Sequence, residues 1–194
     1  DYLIIGSGFG GSVSALRLAE KGYSVAILEA GKRYRPADFP TTNWNVFKYF
    51  WAPALRCFGI LRLTPLSDVL ILSGTGVGGG SLGYANTLLT PPAPFFADPQ
   101  WAQMDDWQAR LAPHYETAKR MLGAARNERM SHADRILKEI AEETGCGHTF
   151  RMQDVGVFFG EPEVTVPDPY FDGRGPERTG CRHCGGCMVG CRHD

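Results

Sequence analysis

The sequence has no excess of charge of either sign. Its 20 lysines and arginines stand against 21 aspartates and glutamates, a net charge of −1, so the electrostatic footprint of a nucleic-acid-binding surface is missing. It has no uninterrupted apolar run long enough to cross a bilayer. The nearest candidate, Val46 to Leu63, is broken by Lys48, Pro53, Arg56 and Arg62. There is no internal repeat and no low-complexity tract, which excludes a solenoid or a disordered linker. No methionine opens the chain, so the absence of a visible signal peptide is uninformative; location is left unknown, with the cytoplasm favoured. A single strand–helix–strand unit cannot cover its own apolar faces. The expectation is therefore an N-terminal piece of a longer protein.

What the chain has in quantity is glycine, 24 residues of 194, concentrated in two turns. The first is Gly6-Ser7-Gly8-Phe9-Gly10-Gly11, which follows the apolar run Tyr2-Leu3-Ile4-Ile5 and opens a helical pattern. In that context the G-x-G-x-x-G spacing is a dinucleotide-binding fingerprint. Gly6 takes the tight turn, Gly8 lets the backbone approach a pyrophosphate, and Gly11 lets the helix pack on the strand. The pyrophosphate then meets free N–H groups at the helix N-terminus. Gly22 ends the helix, and Val25-Ala26-Ile27-Leu28 reads as the next strand with Glu29 at its end. An acid about twenty positions beyond the glycines suits the hydroxyls of a ribose. The plainer alternative is a tight turn with an exposed glutamate.

The second turn, Gly74-Thr75-Gly76-Val77-Gly78-Gly79-Gly80-Ser81, follows the apolar stretch Asp68–Leu72, read as a strand. Gly78, Gly79 and Gly80 permit backbone-only contact with a flat or phosphorylated ligand. Ser81 and Asn86 are the polar groups nearby. This second turn points to a flavin rather than a nicotinamide.

Between the turns lies an irregular segment with Tyr34, Phe39, Trp44, Phe47, Tyr49, Phe50 and Trp51, either a lid over a ligand or a stretch packed on its own domain. From Asp98 the pattern is helical. Met104, Trp107, Leu111, Tyr115, Ala118 and Leu122 mark one face, Pro113 is expected to kink the helix or start another, and Gly123 ends it. Ser131 and Asp134 predict a capped second helix with Ile136, Leu137 and Ile140 on its core face and Gly145 at its end. Val155–Phe159 reads as a strand and Thr165–Gly180 as a loop.

On the residues Ile4–Gly11, Val13–Leu18, Leu28–Gly31 and Gly76–Leu82 the chain resembles the glucose–methanol–choline oxidoreductases, in their cholesterol-oxidase-like branch. The resemblance implies FAD, with the first motif on its ADP half and the second along the pyrophosphate and flavin. It also implies a substrate domain woven into the flavin domain, and oxidation of a small-molecule alcohol by hydride transfer to the flavin. The second motif departs from the family: Gly83-Tyr84-Ala85-Asn86-Thr87 stands where cholesterol oxidases continue Asn-Gly-Gly-Met. Contacts around the flavin ring and a sterol substrate are therefore not carried over. The family's catalytic histidine lies near its C-terminal end, and no residue here is matched to it.

Cys181, Cys184, Cys187 and Cys191 have the spacing of a bacterial ferredoxin loop, although Arg192 replaces the proline that usually follows. The readings open at this point are an iron–sulfur cluster on four or three of the thiolates, zinc, disulfides, and a ligand-free loop. A cluster would make the protein a dehydrogenase and its absence favours an oxidase. Cys57 and Cys146 read as buried thiols.

The fold expectation is α/β. A Rossmann-like FAD-binding βαβ domain, incomplete and covering residues 1–97, is followed by the start of an interleaved α+β substrate region at 98–180 and a cysteine loop at 181–194. The functional expectation is the FAD-binding part of an alcohol oxidoreductase. The alternatives are a NAD-dependent dehydrogenase, against which the second glycine turn argues, and an electron-transfer module built on the cysteines.

Overall fold

The computed structural model describes residues 1–193 and divides them into two compact units. One holds 1–86 and the described residues from 182 on, the other 87–181.

The first unit begins with the expected βαβ. Strand β1 (Tyr2–Ile5) and strand β2 (Val25–Leu28) pair in parallel, Tyr2 opposite Val25 and Ile5 opposite Leu28. Helix α1 (Phe9–Glu20) crosses between them. It starts without a side-chain cap at Gly8 and closes at Lys21, with Gly22 at φ 86° directly after. Leu3, Ile5 and Leu28 remain exposed, as expected for a two-stranded fragment of a sheet that needs covering layers. A hairpin pairs Leu61–Pro65 with Leu70–Gly74 in antiparallel register. Its second strand starts two residues later than the apolar run suggested and carries the chain into the second glycine turn.

The core of this unit is Tyr49, Ile60 and Leu61, with Tyr34, Phe39, Phe50, Leu82 and Val189 packed against it. The aromatic segment thus packs largely on its own domain. Tyr34 donates its phenol proton to the Gly59 carbonyl oxygen at 2.6 Å. Trp44 and Phe47 stay exposed. Cys57 is buried as expected.

The second unit is built on two helices. The first spans Trp107–Leu122, capped by the Asp106 carboxylate accepting from Ala109 N–H at 3.0 Å, and ends at left-handed Gly123. It starts later than the periodicity implied, leaving Met104 outside. Pro113 sits inside the helix and starts no second one, since its missing N–H removes a single rung of the ladder. The second helix is His132–Glu143, entered through the expected capping box. Its supposed core residues Ile136, Leu137 and Ile140 are exposed, and so is Cys146. The expected strand over 155–159 shrinks to Asp154–Val155, paired with Ala125–Arg126. The expected loop contains a two-residue ladder, Thr165–Val166 against Arg178–Thr179, closed around Asp168, whose carboxylate accepts from the N–H groups of Tyr170, Phe171 and Gly175. Among the described residues no helix is long and apolar enough to cross a membrane.

Candidate functional site

The two glycine turns meet in the first unit. A Cβ on Gly79 would stand 2.7 Å from Gly8 Cα, and one on Gly31 would stand 2.5 Å from Gly76 N. Backbone therefore lies directly on backbone, which only glycine allows at these points. Gly11 has the packing role read from the sequence: a Cβ there would collide with the Gly6 carbonyl oxygen and come within 3.2 Å of the Ile4 side chain.

Gly8 differs. A Cβ at Gly8 would find nothing of the chain nearer than Gly79 Cα at 4.0 Å. The chain's own packing leaves that space open, at the uncapped start of α1. The first N–H groups of a helix have no partners inside it, and the helix dipole is positive there. The space is continuous with an open cavity of about 550 Å³, within the range that holds a sizeable ligand. Gly6, Gly8, Glu29, Gly79 and Gly80 line it, together with the apolar side chains of Ile5, Phe9, Leu28, Leu61, Leu72 and Tyr84. Polar edges come from Arg62, Ser73 and Thr75. Bare backbone beside an uncapped helix start, opening on an apolar hollow, fits a pyrophosphate-linked aromatic cofactor.

Gly11, Gly78, Ser81 and Asn86 are not among the lining residues. Ser81 spends its hydroxyl inside the turn, donating to the Gly78 carbonyl at 3.0 Å. Asn86 has a left-handed backbone at φ 57° and is half-buried. Glu29 is at the cavity wall, but both its oxygens are given to the chain itself. Oε2 accepts from Ser7 N–H at 2.9 Å and from the Ser7 hydroxyl at 2.7 Å. Oε1 accepts from Gly31 N–H at 3.0 Å and Gly76 N–H at 3.2 Å. Burial pushes this carboxyl up, and the hydrogen bonds from Gly31, Ser7 and Gly76 outweigh it, bringing its pKa down to about 2. The sequence reading missed Ser7 as a site residue. Its only signal was a small hydroxyl between two motif glycines.

Residues 4–35, from the end of β1 through α1, β2 and Glu29, match the NAD(P)-binding Rossmann-like domain family. The whole chain aligns with cholesterol oxidase of Mycobacterium tuberculosis at 59% identity, covering 34% of that protein. It aligns with cholesterol oxidase of Acinetobacter baumannii at 49%, again over the whole chain and 36% of that protein. A GMC-type oxidoreductase of Mycobacterium tuberculosis is 25% identical over 98% of the chain and 27% of its own length. The chain belongs to the GMC oxidoreductase family. It spans about a third of the length of the curated relatives it matches.

In this GMC chain nothing found supports an iron–sulfur cluster on the cysteine segment. Among the described residues no group of three or more His, Cys, Asp or Glu is placed to hold a metal ion, and no disulfide is present. Cys181 belongs to the second unit, whereas Cys184, Cys187 and Cys191 belong to the first. The shape of the loop follows packing instead. Left-handed Gly185 leads into a short turn of 3-10 helix, Gly186–Val189, which brings Val189 onto the Tyr49–Ile60–Leu61 core. Gly190 lies so close under the Phe39 ring that a Cβ would collide with it. The thiols are spaced by a turn that buries valine.

Proposed function

We propose that the chain is the FAD-binding part of a flavin-dependent oxidoreductase acting on the CH–OH group of an apolar alcohol, and that the whole protein is an oxidase like its named relatives. The observation that carries this reading is the open space beside Gly8: bare backbone and an uncapped helix start facing a hollow that the protein's own side chains do not fill. Relatives named cholesterol oxidase, matched over the full chain, supply the reaction class.

When bound, FAD supplies an acceptor for the hydride leaving the alcohol carbon. The chain's residues bind and orient it. Gly6 and Gly8 bring backbone against the pyrophosphate, and the first N–H groups of α1 neutralise its charge. Gly79 and Gly80 present a flat backbone surface along the second half of the cofactor, next to Gly78, Ser81 and Asn86. Ile5, Leu28, Leu61 and Leu72 give the hollow an apolar wall against which the cofactor's rings can pack.

The test is the visible spectrum of the purified intact protein. The reading expects the two absorption bands of oxidised flavin, bleached by an apolar alcohol in the absence of oxygen and restored by air. A protein that neither carries nor takes up FAD overturns it.

A further inference from the structure

Glu29 stands where a ribose-binding acid is expected, yet its hydrogen-bonding capacity is already used. A carboxylate offers about four lone-pair positions. Four donors of the chain fill them: Ser7 N–H, Ser7 Oγ–H, Gly31 N–H and Gly76 N–H. Two of these donors belong to the first glycine turn, and one reaches from the second turn, 47 positions along the chain. The Ser7 hydroxyl extends the link, because it accepts from Gly78 N–H at 3.2 Å while donating to Glu29. Ser7 is buried, so water is a poor substitute partner.

We propose that Ser7 and Glu29 are positioning residues that clamp the two glycine turns together, setting the spacing between the part of the site that takes the ADP half of FAD and the part that takes the flavin half. The clamp rests on the FAD reading for its ligand and on the hydrogen bonds alone for its existence. Its chemistry is specific. A glutamine at position 29 presents an NH₂ where one oxygen now accepts two N–H or O–H donors, so donors would face donors on one side. An aspartate is one methylene short of reaching Gly76 and Ser7 together. An alanine at position 7 keeps the main-chain bond to Glu29 and removes both hydroxyl bonds, the one donated to Glu29 and the one accepted from Gly78.

The clamp and the ribose role predict different ligand dependence. A residue that acts on the ribose contributes equally to ADP and to FAD, since both carry the same ribose. A clamp contributes to FAD, which spans both turns, far more than to ADP, which occupies one. The experiment titrates the deflavinated intact protein with ADP and with FAD, using wild type, Ser7→Ala, Glu29→Gln and the double variant. It also follows amide exchange at Gly76 and Gly78 without ligand. The expected result is FAD affinity at least about tenfold lower in Ser7→Ala, the scale of losing the hydroxyl's bonds to Glu29 and Gly78, with ADP affinity within about twofold of wild type. The double variant should be no weaker than Glu29→Gln, and exchange at Gly76 and Gly78 should accelerate. Equal losses for ADP and FAD in Glu29→Gln, with Ser7→Ala silent, would overturn the clamp in favour of the ribose contact. Unchanged exchange at both amides would overturn it outright. Ser7→Ala carries the test even where Glu29→Gln does not fold. A wild-type protein that takes no FAD defeats the cofactor reading, while the exchange measurement still decides the clamp.

Discussion

Phe9, the first residue of α1, meets Tyr84 edge to face, their ring centroids 5.6 Å apart and their planes at 78°. Both rings line the cavity. Tyr84 follows the second glycine turn, so the pair joins the start of α1 to the end of that turn in one aromatic wall. Burial, with the neighbouring Cys187 adding to it, raises the Tyr84 phenol above its ordinary pKa and keeps it protonated.

Tyr84→Phe should therefore leave FAD retention unchanged, because the edge-to-face pair survives. Tyr84→Ala should weaken it by about 0.5–1.5 kcal/mol, the value of such a pair beyond its buried area. Flavin release followed by fluorescence would check both. Equal loss in the two variants would show that the hydroxyl matters and not the ring.

Gly8→Val and Gly11→Val should separate binding from folding. A Cβ at Gly8 meets nothing of the chain within ordinary contact, and the residue's extended backbone, φ −68° and ψ −171°, suits valine. That variant should fold normally and fail to hold FAD. Gly11→Val drives a side chain into the Gly6 carbonyl and Ile4, and should lower the unfolding midpoint itself. Circular dichroism melts beside flavin absorbance read both effects. A Gly8→Val protein with full flavin content would remove the pyrophosphate from that position.

Acid should act through Glu29. Its folded pKa of about 2 lies below the ordinary value of 4.5, so its ionised form stabilises the fold fully above about pH 4.5. That contribution is lost as pH falls toward 2. Denaturant unfolding between pH 5 and pH 2 should show a falling limb in wild type that is flatter in Glu29→Gln. Parallel limbs would assign the acid sensitivity to other carboxylates.

Ser131→Ala should cost about 1 kcal/mol, the usual value of a lost N-cap. The Ser131 hydroxyl accepts from Asp134 N–H at 3.3 Å, and the Asp134 carboxylate accepts in return from Ser131 N–H at 2.7 Å. Ser131→Asp should restore most of the loss in urea unfolding, whereas an unchanged midpoint in Ser131→Ala would mean that the helix is held by other contacts.

What the sequence made legible was local. β1, α1 and β2 follow from an apolar run, a glycine fingerprint and a second apolar run, all within thirty residues. The helix stops at Gly22, Gly123 and Gly145 follow from left-handed backbone that glycine adopts freely, with φ of 86°, 62° and 75°. The clamp was not legible. Nothing in local spacing announces that the Glu29 carboxylate binds the N–H of Gly76, because a main-chain donor carries no sequence signature. The ladder of Thr165–Val166 with Arg178–Thr179 was hidden because two residues are too few to show alternation. Ile136, Leu137 and Ile140 were read correctly as one face of a helix, but periodicity does not say whether anything covers that face. The cysteine spacing does not decide between its readings, because left-handed Gly185 and the close approach of Gly190 to Phe39 serve a tight turn as readily as they would serve a cluster.

Residues 75 to 78 of the second glycine turn send their N–H groups to four separate places: Thr75 to the Ile60 carbonyl, Gly76 to Glu29, Val77 to the Lys32 carbonyl and Gly78 to the Ser7 hydroxyl. Glycine-rich loops are commonly thought of as hinges, but this one is riveted. To swing it outward, four bonds to three stretches of chain must break at once. It behaves as a doorframe and not as a door. Cofactor uptake should then proceed in a single kinetic phase.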